Sequence, residues 1–127
     1  MTEVAKRTVS EFLASLDAPS RQVAAGEWGL TVEAAGWPLH VGLALRDGLL
    51  RAQCEAVGPD RVSEHELLFR NRGLALVRYA QSGAGAVWVH GELPHELVTQ
   101  EWLDRLLGML VEAAVVVRHR AGAAATA

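Results

Sequence analysis

The stretch Leu39 to Val57, LHVGLALRDGLLRAQCEAV, constrains the fold more than any other part of the chain. Two runs of period-2 alternation flank Asp47-Gly48. An Asp-Gly pair between alternating runs predicts a hairpin, because a type I′ turn needs φ > 0 at both central residues. A two-residue turn sets the register. Leu45 then lies opposite Leu50, Leu43 opposite Ala52, Val41 opposite Cys54 and Leu39 opposite Ala56, so every pair on that face is apolar. The other face pairs Arg46 with Leu49, Ala44 with Arg51, Gly42 with Gln53 and His40 with Glu55. A slip of one residue would scatter the apolar set over both faces. The stretch therefore predicts a sheet with one buried side, which the rest of the chain must cover.

A preceding strand continues the pattern. Trp28, Leu30, Val32 and Ala34 alternate with Gly29, Thr31 and Glu33. A turn at Ala35-Gly36 sets Ala34 opposite Trp37, Val32 opposite Leu39, Leu30 opposite Val41 and Trp28 opposite Leu43, and the apolar faces again coincide. Pro38 has no N–H for the ladder, so it marks the first residues of its strand or a bulge. The result is a three-stranded antiparallel meander.

Helices flank it. Residues 2–17 read as an amphipathic helix with Val9, Phe12, Leu13 and Leu16 on one side. After Gly58-Pro59-Asp60, Ser63 and Glu66 form a capping box and Val62 with Leu67 a hydrophobic staple, which starts a short helix anchored by Leu67 and Leu68 and ended by Gly73. Residues 74–80 and 86–93 read as two strands joined by a loop at 81–85. Thr99 caps a last helix whose stripe is Leu103, Leu106, Leu107, Leu110, Val111, Ala114 and Val117. Trp102, Met109, Ala113 and Val116 widen that stripe to an apolar arc of roughly 220°, where a helix lying on a sheet needs about 100°. The surplus calls for a second partner, either another helix of the chain or a second subunit. Arg118, His119 and Arg120 suit the negative end of this helix, and residues 121–127 read as a frayed tail of small residues.

The bulk properties fit one α+β domain over residues 1–120. A chain of 127 residues, half of them apolar and 21% charged, buries a real core. A net charge of −3 with both signs interspersed argues against nonspecific nucleic-acid binding. The single cysteine, Cys54, fits a reducing cytosol. The N-terminus lacks an apolar h-region and no run of about 18 apolar residues occurs, so a cytoplasmic protein with no membrane partner is expected.

Candidate chemistry is sparse. His40 and Glu55 read either as an acid/base pair or as a cross-strand pair on the outer sheet face; no nucleophile or oxyanion donor accompanies them. With His90 they define the rival reading, a small-molecule-sensing or enzymatic pocket. His90 and His95 flank a Leu-Pro turn at a spacing that fits no usual metal site. Ser82-Gly83-Ala84-Gly85 lacks the helix a phosphate loop requires. No catalytic, metal or cofactor-binding residue is assigned. Large aromatics carry more information, because exposed ones anchor interfaces. The residues expected at a partner or dimer interface are Trp102, Met109, Ala113, Val116, Trp88, Leu49 and Val57.

The order of helix, three strands, helix, two strands, helix resembles the YbjN-like proteins and their structural relatives, the class I type III secretion chaperones. The stretch LLFRNRGLALVRYAQSGAGAVWVHGELPHELVTQEWLDRLLGML, residues 67–110, carries the resemblance. It has a short helix with Asn71 near its end, an apolar strand, a Gly-containing hairpin, a strand closing in Leu93-Pro94 and an acid-led amphipathic helix. The resemblance implies a sheet with helices packed on one face, a homodimer, and a non-enzymatic role in binding a protein client.

Overall fold

The computed structural model describes the backbone of residues 2–126 and the side chains of residues 2–122. The chain runs α1 (Thr2–Ser15), β1 (Ser20–Ala24), β2 (Glu27–Ala34), β3 (Trp37–Arg46), β4 (Leu49–Val57), α2 (Glu64–Asn71), β5 (Val77–Gln81), β6 (Val87–Pro94), a 3₁₀ turn at His95–Leu97, and α3 (Gln100–Thr126). Six strands form one antiparallel sheet in the order β1-β2-β3-β4-β6-β5. β6 thus inserts beside β4, and β5 becomes an edge.

The predicted β2–β3 register holds from Trp28–Leu43 to Ala34–Trp37, and the β3–β4 register holds from Arg46–Leu49 to Val41–Cys54, short of the expected pairs Leu39–Ala56 and His40–Glu55. Leu45 pairs with Leu50, Leu43 with Ala52 and Val41 with Cys54, while Ala34 pairs with Trp37 and Trp28 with Leu43. Both turns put their central residues at positive φ: Asp47 at 53° and Gly48 at 76°, Ala35 at 54° and Gly36 at 91°. Ala35 accepts this strained region because the strands on either side leave the turn no alternative.

The meander has a fourth strand that the alternation does not announce. β1, SRQVA, is exposed along its whole length. An edge strand with neither face buried carries no periodic signal. Where a strand was expected at 74–80, Leu74 to Leu76 form a loop with Leu76 at φ 70°, and β5 begins at Val77.

The core lies between the sheet and two helices. α1 buries Ala5, Val9, Phe12 and Leu13, and Trp28 Nε1 donates to Ser10 Oγ at 3.1 Å, fixing α1 over β2. α3 covers β4, β6 and β5 with Leu103, Leu106, Leu107, Leu110, Ala114 and Val117. Gly91 on β6 permits the close approach. A Cβ there would stand 2.7 Å from Leu106 Cδ1 and 2.9 Å from Val77 Cγ1.

α3 is longer than expected. It runs on to Thr126, and Ala121 is buried, so the expected tail is helical where described; residue 127 lies outside the described residues. The 118–120 segment is therefore not at the helix end, and the helix-dipole role expected for it does not apply. No helix among the described residues is long and apolar enough to cross a membrane.

Candidate protein-binding surfaces

Among the described residues no helix covers the outer face of the sheet. The register places Gln53 between Gly42 and His90, and Glu55 opposite Trp88. Val87 and Val89 point into the core while Trp88 lies on the outer side, half-buried, which settles the phase of β6. Leu49 stands exposed at the hairpin end of the same face.

Val57 was expected on this face and is instead buried. The β4–β6 register shifts between Glu55 and Val57, a bulge that turns both Ala56 and Val57 inward. Ala113, expected at an interface, is also enclosed: β5 lies against it, and Tyr79 Oη donates to its carbonyl at 2.6 Å.

Beyond Val41–Cys54 the β3–β4 ladder stops. His40 and Glu55 are therefore not a ladder pair. His40 Nδ1 instead lies 3.1 Å from Thr31 Oγ1. The carbonyls freed where the strands part are taken by Arg118. Its Nε donates to Ala56 O at 2.8 Å, Nη1 to Ala34 O at 2.8 Å and to Trp37 O at 3.0 Å, and Nη2 to Pro38 O at 3.0 Å. The guanidinium also stacks on Trp37, its carbon 3.3 Å from the ring centroid. Arg118 is buried with no carboxylate partner among these contacts, and burial pushes its pKa down. The sequence reading missed this role. The available signal was position: Arg118 continues the buried stripe of Leu110, Ala114 and Val117 toward Ala121.

His40 and Glu55 both line a cleft of about 580 Å³ with Gly42, Gln53 and Trp88, and His90 does not line it. His90 sits in register with Gln53 and Arg78, its ring 6.2 Å from that of Trp88. Burial lowers its pKa, and Arg78 adds to the effect. Arg78 makes a two-point pair with Glu92 at 2.8 and 2.9 Å. The three residues of the rival reading are thus not gathered into one pocket. No group of three or more His, Cys, Asp or Glu among the described residues could hold a metal ion. Cys54 is buried in the core, and burial lifts its thiol to about 11.

A second surface lies at the β5 edge. Ser63 Oγ caps α2 by accepting from Glu66 N at 3.2 Å. The Glu66 side chain does not return to Ser63 as a full capping box would have it. It takes Arg70 Nε at 2.8 Å and Arg120 at 2.8 and 3.1 Å, tying α2 to α3. Those two arginines hold its pKa at about 2, with the Arg120 hydrogen bond the larger cause. Leu67 anchors α2 in the core, but Leu68, the second expected anchor, is 70% exposed and Phe69 is 63% exposed. Beside them opens a groove of about 710 Å³ whose apolar walls include Leu74, Val77, Met109 and Val116.

The residues expected at an interface therefore fall in separate places. Trp88 and Leu49 are on the sheet face, and Met109 and Val116 line the groove. Trp102 is half-buried near the start of α3, under the Arg105 guanidinium at 5.1 Å. Most of the apolar arc of α3 is enclosed by the sheet and α1, and Met109 is its most exposed large member.

The sequence matches no protein-family model and no curated protein. Among solved structures, the chain is similar to one in the HopA1–SchA chaperone–effector complex, with a TM-score of 0.73 at 16% identity, over 93% of this chain and 95% of that one. It is also similar to one in the complex of the Yersinia pestis type III secretion chaperone SycH with a stable fragment of YscM2. There the TM-score is 0.63 at 17% identity, over 89% of this chain and 98% of the other. Identities this low establish the fold alone: an α+β domain of the type III secretion chaperone kind.

Proposed function

We propose that this chain is a non-enzymatic, chaperone-like binding module of YbjN-like type, a cytoplasmic homodimer that holds a protein client or a regulatory partner. The observation that carries the reading is the juxtaposition of a projection and a recess. Phe69 stands exposed at the rim of the apolar groove that it lines together with Val77, Met109 and Val116, and the next residue toward the N-terminus of α2, Leu68, is more exposed still. A two-fold axis beside them would place each copy's projection in the other's recess, as an isologous interface requires. Large apolar side chains exposed together mark interaction surfaces. The open outer face of the sheet is left for the client, and the similarity to a chain from a chaperone–effector complex and to one from a type III secretion chaperone complex supports a protein partner.

Sedimentation equilibrium at tens of micromolar tests the dimer. A dimer that the pair L68E/M109E converts to a monomer of unchanged circular dichroism is the expected result. A wild-type monomer at that concentration refutes it. Polar replacement of Trp102 separates core from interface, since a core Trp102 would take folding with it. Affinity capture from the native cell tests the client, which should be lost when Gly42 and Ala44 on the sheet face are replaced by aspartate. Retention of the client by that variant would move the binding site elsewhere.

A further inference from the structure

The cleft on the outer sheet face has a chemistry more specific than apolar docking. Glu55 lies exposed at its side and makes no hydrogen bond or ion pair with any described residue. Of the other outer-face carboxylates on the strands, Glu27 holds Arg46 at 2.6 Å and Glu92 holds Arg78, while Glu33, opposite Pro38 near the end of β2, is exposed and like Glu55 has no such bond to a described residue. Directly across the β4–β6 pair from Glu55 stands Trp88, within the cross-strand distance of roughly 5 Å between Cβ atoms. Trp37 also lines the cleft. Gly42 lies in the floor, and a Cβ built on it meets nothing within 4 Å, so the space above is open.

We infer that this cleft receives the guanidinium of an arginine carried by the bound polypeptide, paired with Glu55 and laid on the Trp88 ring. The inference rests on the reading of the sheet face as the client surface. A guanidinium is planar, stacks on indoles and offers a fork of donors to a carboxylate, whereas an ammonium is a point charge with a stronger hydration shell. The chain itself uses this pairing twice, with Arg118 on Trp37 and Arg105 on Trp102. One guanidinium of the chain and one imidazole also line the site. Arg118 is stacked on Trp37 and committed to four carbonyls, and the His40 ring nitrogen is engaged with Thr31. Trp88 Nε1 is sealed from solvent without an acceptor, so its indole resonance is a reporter undisturbed by a prior hydrogen bond.

The full-length protein is titrated with N-acetyl-arginine amide, and with the lysine and citrulline analogues, while the Trp88 indole ¹H–¹⁵N resonance, assigned with W88F, is followed. Saturable movement with the arginine compound, weaker movement with lysine and none with citrulline is expected. E55Q should weaken the arginine response roughly fivefold, the upper end for an exposed ion pair. Equal response to arginine and citrulline, no response to arginine, or an E55Q titration identical to wild type each overturns the inference. Two fluorescent peptides of alternating Val and Ser, centred on arginine or on citrulline, separate this from the broader reading. Equal binding of both removes the arginine preference and keeps polypeptide holding. If neither binds while arginine amide still titrates Trp88, polypeptide holding fails and the cation site stands.

Discussion

Asn71 grips the backbone of Tyr79 at both ends: its Nδ2 donates to Tyr79 O at 3.1 Å, and Tyr79 N donates to its Oδ1 at 2.8 Å. A side-chain amide thus occupies the outward groups of the edge strand, as a neighbouring strand would. Edges left open invite pairing with other chains. N71A should destabilise the fold by about 1–3 kcal/mol, because two backbone groups lose their partner. It should also aggregate sooner than L68A, which is exposed and touches no edge. Urea melts and light scattering read both effects, and an N71A protein as stable and as soluble as wild type would remove the edge-guard role.

Arg118 takes the place of a ladder where β3 and β4 part. R118L leaves four carbonyls without their donor and removes the ring stack. A loss of about 2–4 kcal/mol is expected, below the sum of the separate bonds because such effects do not add. R118K keeps the charge but neither the fork nor the planar stack, so it should recover only part of that loss. Urea unfolding midpoints give the order wild type, R118K, R118L. In both variants the Trp37 fluorescence should shift toward that of a free indole.

How far the sequence could carry the fold shows in these same residues. Alternation around Asp47-Gly48 set two registers because one face is buried and a slip is penalised along its whole length. The same reasoning failed at Val57, where a bulge adds a residue, and bulges leave no mark in a period-2 pattern. β1 was invisible because nothing on it is buried. Arg118 was misread because its role depends on carbonyls 62 to 84 residues away, which no local window contains. The surfaces fared similarly. The apolar arc of α3 calls for a partner beyond the sheet; the sheet and α1 enclose most of it. Leu68, expected as an anchor beside Leu67, points outward, because a short helix offers too few residues to fix its phase.

Gly91 is where α3 comes nearest the sheet. G91A would bring a methyl to 2.7 Å from Leu106 Cδ1 and 3.1 Å from Leu76 O. Leu106 is fully buried and has little space into which to retreat, so overpacking of about 1–3 kcal/mol is expected. The double variant G91A/L106A should recover part of the loss relative to L106A alone, because the added methyl then fills space the leucine vacated. A thermal melt of the four proteins decides it, and additive losses would show that the helix and β6 do not compete for this volume.

Glu66 predicts how the α2 link responds to acid. Its pKa falls from about 4.5 in the unfolded chain to about 2 when Arg120 and Arg70 bond it. A carboxylate with a lowered folded pKa stabilises the native state fully above the unfolded value, and that stabilisation fades as pH drops from about 4.5 toward 2. The pair is partly open to solvent, so screening reduces its strength, and added salt should reduce it further. E66Q should therefore be less stable than wild type at pH 7, and the gap should close by pH 2 to 3. Arg120 and Glu66 join α2 to α3, so the same acidification should loosen α2 first. Amide exchange at Leu67 to Asn71 should rise in wild type between pH 5 and pH 3, after correction for intrinsic rates, and should not rise in E66Q. A constant gap in stability across that range, or equal exchange in the two proteins, would show that Glu66 does not fasten the helix.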